Sequence, residues 1–187
     1  MCAYYAPDYI LTQSVFFVGF MGAGKTSTAR RLARTCGAAS IDMDSYIERR
    51  EGCSIADIFE RGGEDLFRSI ETSILGELVH QDPLLISCGG GIIVTDESRR
   101  LLQENGVVVY LRISADDAKE RITNFSRRPL FGDIDNARRL NAERAPMYEE
   151  VADIVVDTAG RSVADIAREV RRALIKKGAL CARQSSL

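Results

Sequence analysis

Short unbroken apolar runs alternate along the chain with longer stretches in which apolar residues recur every three or four positions. The runs are Val15–Val18, a short one ending at Ile41, Leu84–Ser87, Val107–Leu111 and Ile154–Val156. Continuous apolar runs of this length suit strands buried on both faces of a parallel sheet. The stretches between them predict helices, the first over Lys25–Thr35. Three more open on a serine with a carboxylate three residues on: Ser54 with Asp57, Ser114 with Asp117, and Ser162 with Asp165. In that spacing the serine and the carboxylate each satisfy a backbone N–H at the helix start. Five strands alternating with helices predict an α/β sandwich around a mainly parallel sheet. Ligands of such folds bind at the carboxyl ends of the strands, so the chemistry is expected in the loops there. The first 14 residues and the tail after Ala179 lack the pattern. They read as short, loosely ordered extensions of one domain over residues 1–187, with an ordered core of about 12–178.

Composition narrows the chemistry. A chain of 187 residues suits one domain with a sizeable core. A net charge of −2 gives no global attraction to nucleic acid or anionic membrane, so small-molecule chemistry is expected. No stretch approaches the ~18 consecutive apolar residues of a membrane span. The N-terminus has neither the basic start nor the apolar centre of a signal peptide. The five cysteines are odd in number and contain no C-x-x-C pair, which argues against a disulfide framework or zinc site and for reduced thiols in the cytoplasm. The single histidine, His80, precedes Gln81-Asp82-Pro83 at a predicted helix end. It reads as a surface residue rather than a ligand or a base.

The segment Gly19–Ser27, GFMGAGKTS, follows the first strong strand and opens the first helix. It carries the G-x4-G-K-T pattern. Glycines let such a loop curl so that its N–H groups face phosphate oxygens, and the following helix start adds a positive end. Lys25 would reach the β- and γ-phosphates of a nucleotide, and the Thr26 hydroxyl would bind Mg²⁺. The stretch DTAG, Asp157 to Gly160, matches a GTPase switch. It follows the last strand, however, and no N-K-x-D guanine reader comes after it, so it reads as a turn. The run Leu84–Ser87 ends in CGGG, without the metal-binding carboxylate of large ATPases. The nearest suitable acids are Asp42 and Asp44.

On an extended chain, residues two apart point the same way, so Asp42 and Asp44 are predicted to face the site together. One would support the metal's water shell and the other an acceptor hydroxyl. An N-capping role for Asp44 competes with this. In GEDLFRSIE, Arg68 is either a surface charge, an ion-pair partner of Glu64 or Glu71, or a site residue. Gly89, Gly90 and Gly91 in succession suggest close backbone approach to a ligand. The segment SRRPLFGDIDN, with Arg128 beside Pro129, has the composition of a lid over about 124–135. Arg144 lies where a helix meets Pro146, and its spacing alone does not separate a site role from a solvated one.

These motifs, in this order, resemble the shikimate kinases: GFMGAGKTS, IDMDSYIE, SIADIFERGGEDLFRSIE, SCGGGII, RRPLF, ERAPMYEEVAD and VDTAGR. The resemblance runs from Val15 to about Leu174. It implies a P-loop NTPase of the nucleoside-monophosphate-kinase-like type, a three-layer sandwich with a five-stranded parallel sheet. It implies ATP-dependent phosphorylation of the 3-hydroxyl of shikimate on the route to chorismate and the aromatic amino acids. By motif it implies that Gly22, Ala23, Gly24, Lys25, Thr26 and Ser27 surround the ATP phosphates, with Thr26 on one Mg²⁺ per subunit and Asp42 supporting that ion through water. Asp44 would orient, and perhaps deprotonate, the attacking hydroxyl. Arg68 and Arg144 would grip the shikimate carboxylate, and Gly89, Gly90 and Gly91 would supply backbone contacts. Arg128 would be the lid arginine on ATP, and Arg161 would border the adenine. A monomer acting on shikimate and ATP, with no nucleic acid or membrane partner, is implied. Two positions depart from the pattern. The loop hydroxyl pair is Thr26-Ser27 where serine then threonine is commoner, and Cys88 stands where an apolar residue is expected. A gluconate-type kinase and a nucleotide-binding regulatory protein are alternatives separable by which acceptor stimulates ADP release, and a kinase-like domain in a larger aromatic-pathway complex is a third, separable by whether a partner co-purifies.

Overall fold

The computed structural model describes residues 9–121 and 133–183. Five strands form a parallel sheet: β2 (Ser14–Val18), β3 (Ser40–Asp42), β4 (Leu85–Ser87), β5 (Gly106–Arg112) and β6 (Ile154–Asp157), in the order β3-β4-β2-β5-β6. Each matches a predicted run. The central strand β2 is buried along its whole length, which is why its sequence is apolar without alternation. Its side chains still alternate between layers. Val15 and Phe17 join one core with α1 (Lys25–Cys36) and α7 (Val163–Lys176). Phe16 and Val18 join a second core with α2 (Met43–Glu51), α3 (Ile55–Leu78) and α4 (Asp96–Glu104).

The serine caps form as predicted. Ser54 and Asp57 make a reciprocal capping box at the start of α3. Ser114 accepts from the Asp117 amide at the start of α5 (Ala115–Arg121), and Ser162 from the Asp165 amide at the start of α7. The long helix α3 is kinked at Gly63, whose φ of 69° no helix contains. His80 is exposed, just beyond the end of α3. Among the described residues, no helix is long and apolar enough to cross a membrane.

Three features differ from the sequence-based expectation. The ends are not loose throughout: β1 (Tyr9–Leu11) pairs antiparallel with β7 (Leu180–Ala182). Tyr9, Leu11 and Leu180 pack on the α1/α7 core. The pairing of these two strands joins opposite ends of the chain, which no local pattern records. Secondly, α6 (Ile134–Val151) does not stop at Pro146 but runs through it. Proline inside a helix costs about 3 kcal/mol. Burial of Tyr148 and Val151 beyond it offsets that cost. Thirdly, Asp133–Asp135 of the expected lid are the cap and first turn of α6, with Asp133 accepting from two backbone amides. The rest of that segment, including Arg128, lies outside the described residues.

Candidate active site

The phosphate loop bends between β2 and α1. Gly22 and Gly24 have φ of 81° and 91°, in the left-handed region that side chains disfavour. Gly24 caps α1, and no side chain among the described residues caps that helix start. Its first N–H groups and the dipole behind them are therefore presented to an anion. The Lys25 ammonium donates to the carbonyls of Gly19 (2.7 Å) and Phe20 (3.1 Å), so it is held over the loop. Thr26 Oγ1 donates to Asp42 Oδ2 at 2.6 Å and shares a 2.9 Å hydrogen bond with Ser87 Oγ. Thr26 has one proton and gives it to Asp42, so Ser87 is the donor in the second bond.

Asp42 and Asp44 are not two positions of one strand, as alternation predicted. Strand β3 ends at Asp42, and Asp42 itself caps α2 by accepting from the Ser45 amide at 3.1 Å. Asp44 is exposed in the first turn of α2, so the capping role falls to Asp42. Burial raises the Asp42 pKa, but hydrogen bonds from Thr26 and Ser45 and the charge of Arg30 outweigh it, and the net direction is down. A carboxylate kept ionised beside a threonine hydroxyl is a suitable partner for a hydrated hard cation. Among the described residues there is no cluster of three or more His, Cys, Asp or Glu that would cage a metal. Magnesium bound largely by phosphate oxygens and water needs no such cage.

Facing this, strand β4 delivers the glycine turn. None of Gly89, Gly90 and Gly91 has a positive φ. Space is their reason. A Cβ on Gly89 would lie 2.7 Å from Glu71 Oε1 and 2.9 Å from Asp44 Oδ1, and one on Gly91 would overlap the Arg68 guanidinium. The close approach predicted from the sequence is thus first an approach of the site's own side chains. Arg68 donates to Glu71 Oε2 at 2.5 Å and to Glu64 at 3.0 and 3.1 Å, so both ion pairs considered from the sequence form at once. Burial alone would lower the Arg68 pKa; Glu71 and Glu64 outweigh it and raise it, so Arg68 stays charged. For Glu71, 1% exposed, burial dominates and the carboxyl pKa is raised despite Arg68. Its Oε1 has no hydrogen-bond partner among the described residues. From α6, Arg144 donates to the Gly90 carbonyl at 3.4 Å, and the Tyr148 hydroxyl donates to the same oxygen. Arg68 and Arg144 also line a cleft of about 1040 Å³ between α3, the start of α4 and α6.

Cys88 joins the two halves. It is buried between β4 and the glycine turn, within electrostatic reach of Glu71, Lys25, Asp44 and Asp42. Burial, then the Glu71 charge, push its thiol pKa far up, so it is an inert filler and not a nucleophile. The phosphate loop, Asp42, Arg68 and Arg144 therefore share one sheet edge. A profile of the shikimate kinase family matches residues 21–175. The chain belongs to the shikimate kinase family.

The curated shikimate kinase of Halorhodospira halophila is 42% identical over 163 residues, 86% of this chain and 92% of that protein. The one from Chromobacterium violaceum is 40% identical over 156 residues, 82% of this chain and 85% of its own length. Among solved structures, the shikimate kinase from Acinetobacter baumannii in complex with shikimate superimposes with a TM-score of 0.83 at 34% identity, covering 88% of this chain and 94% of that one. The five-stranded parallel sheet and flanking helices are those of the nucleoside-monophosphate-kinase-like P-loop enzymes.

Arg161 is not gathered with the residues above. Its guanidinium donates to the Asp157 carbonyl at 2.8 Å and pairs with Glu169 at 2.6 Å. A link to the phosphate loop exists through α5. Ala118 packs on Gly22, and Arg121, at the end of α5, donates to the carbonyls of Thr158 and Arg161. Arg121, Ser87 and Tyr148 were not recognised from the sequence, and Glu71 was seen only as a partner for Arg68. A signal existed for Glu71. It lies on the stripe Phe67, Ile74, Leu75 and Leu78, the buried face of α3, where a carboxylate is out of place.

Proposed function

We infer that the protein is an ATP-dependent kinase that transfers a phosphoryl group to the 3-hydroxyl of shikimate, giving shikimate 3-phosphate and ADP in the aromatic amino acid pathway. The Thr26–Asp42 contact beside the phosphate loop, with Glu71 and Asp44 against Gly89 and with Arg68 and Arg144 at the adjoining glycines, carries this assignment. Gly22, Ala23, Gly24 and Ser27 enclose the phosphates, and Lys25 moves from its loop carbonyls to the β- and γ-oxygens. Thr26, with Asp42 through water, would hold one Mg²⁺, which supplies charge neutralisation on those oxygens. Arg68 and Arg144 take the acceptor carboxylate, for which the planar guanidinium fork is suited. Gly89–Gly91 contact the ring by backbone groups. Asp44 accepts the hydrogen bond of the 3-hydroxyl and takes its proton as the oxygen bonds to the γ-phosphorus and the bond to ADP breaks. Arg161, with Arg121 behind it, borders the adenine.

Arg128, outside the described residues, is proposed as the lid arginine on ATP. Arg128→Ala is expected to lower kcat more than it raises the shikimate KM, because its charge matters most as phosphoryl charge develops. Equal changes in both would count against that role. The enzyme is proposed to act as a cytoplasmic monomer, which light scattering on the purified protein tests against its 20.6 kDa mass.

The decisive experiment measures ADP release with shikimate, gluconate or nucleoside monophosphates as acceptor. Shikimate is expected to stimulate release and the others not. Stimulation by gluconate alone would make the protein a sugar-acid kinase, and acceptor-independent hydrolysis would remove the acceptor site altogether.

A further inference from the structure

Two donors from α6 meet at the Gly90 carbonyl, and they are not equivalent. Arg144 and Tyr148 are four residues apart and share one helix face. Arg144 is half-buried, and its 3.4 Å contact is long for a hydrogen bond. Tyr148 is fully buried, with its ring stacked on Tyr110 at 5.0 Å between centroids and 23° between planes. Packing therefore fixes where its hydroxyl stands. Burial pushes the phenol's pKa far up, so the group remains a donor at any working pH.

The consequence for the glycine turn follows from peptide geometry. The described peptides are all trans. In a planar trans peptide the carbonyl of one residue and the N–H of the next point opposite ways. Holding the Gly90 carbonyl toward α6 turns the Gly91 N–H away from α6. With the Tyr148 hydroxyl on that carbonyl, the Arg144 guanidinium can leave it for an anionic ligand while the turn keeps its shape. Without that hydroxyl, Arg144 is the one α6 group left on the carbonyl, and it must serve both.

We propose that Tyr148 is a positioning residue for the acceptor: its hydroxyl anchors Gly90, orients the Gly89–Gly91 turn, and releases Arg144 to bind the acceptor carboxylate. This rests on the assignment of Arg144 and the glycine turn to shikimate. The nucleotide half is expected to be indifferent. A Cβ at Gly90 would find the Gly19 carbonyl at 3.7 Å and the Met21 nitrogen at 3.9 Å, ordinary packing distances to the phosphate loop.

The test compares Tyr148→Phe, Tyr110→Phe and Arg144→Ala in the full chain, with each substrate varied at saturating concentration of the other, alongside thermal melting. Tyr148→Phe keeps the stacked ring and deletes one hydrogen bond. It is expected to raise the shikimate KM about tenfold, the equivalent of about 1.4 kcal/mol, while the Mg-ATP KM stays at the wild-type value. Tyr110→Phe, which keeps both the stack and the Gly90 bond, is expected to leave both constants unchanged. A wild-type shikimate KM in Tyr148→Phe, an equal rise for both substrates, or failure of that variant to fold would each make Tyr148 a packing residue and overturn the proposal. If Arg144→Ala leaves the shikimate KM unchanged, the acceptor assignment itself fails and the proposal falls with it. A rise in Arg144→Ala without one in Tyr148→Phe removes the Tyr148 role alone.

Discussion

Asp44 is the side chain whose role the surrounding geometry most sharpens. Since Asp42 caps α2, substitution of Asp44 does not remove a helix cap. Asp44→Asn is expected to lower kcat by roughly 10²–10⁴-fold if the carboxylate takes the hydroxyl proton. If it only orients shikimate, the change falls mainly on KM. Steady-state rates at saturating Mg-ATP with varied shikimate separate the two, and wild-type values for both would remove Asp44 from the site. A second residue-scale prediction concerns Gly91. Replacing Arg68 by alanine would strand Glu71 as a buried unpaired acid, confusing function with stability. Gly91→Ala keeps the Arg68 charge beside Glu71, while the new methyl overlaps the guanidinium and must shift it. The shikimate KM is expected to rise by about tenfold or more, on the scale of disturbing a buried charged contact, with little change for ATP. An unchanged shikimate KM would mean that Arg68 does not bind the acceptor. At this scale the motifs made Lys25, Thr26 and the glycines legible, because their spacing is local. The partners of Arg68 were legible as candidates only, since helical spacing offered both Glu64 and Glu71 and could not show that it uses both.

Among the elements, the junction of β3 and α2 shows how one side chain ends a strand, starts a helix and completes a site. Asp42 accepts from Ser45 and from Thr26, and these bonds hold its pKa below the ordinary 3.8. A carboxyl with a lowered folded-state pKa contributes stability above its unfolded pKa and loses it as pH falls through the folded value. Asp42→Asn keeps a good cap. It is expected to be less stable than wild type at pH 7 by the linkage it has lost and to converge with wild type below about pH 4, with a flatter acid limb, measured by urea unfolding across pH. The same variant is expected to need more Mg²⁺ for half-maximal rate. An acid profile identical to wild type would show that Asp42 does not carry this linkage. Alternation along an extended chain pointed to both aspartates for the wrong reason, because it could not see that the strand stops at Asp42. Pro146 misled in the opposite sense. A local rule ends the helix there, whereas burial of Tyr148 and Val151 carries α6 onward and brings both Arg144 and Tyr148 to Gly90.

For the whole molecule, the β1–β7 ribbon closes the chain's two ends over the α1/α7 core. Leu180, 1% exposed, is its buried anchor. Leu180→Ala is expected to cost about 2–5 kcal/mol and so to lower Tm by roughly 5–15 °C, while both KM values stay at wild type. An unchanged melting temperature would mean that the ribbon contributes no packing. The sequence by itself determined the five strands, the helix caps, the phosphate loop and the motif set, since each is written in neighbours a few residues apart and in the burial of both sheet faces. Only the tertiary structure decided that residues 9–11 and 180–182 pair, that Ser87 donates to Thr26, that Glu71 sits beneath the glycine turn, and that Tyr148 holds Gly90. Those contacts join residues far apart in the chain or give a buried polar atom its direction. No local period encodes either; they exist only once the sheet has brought its loops to one edge.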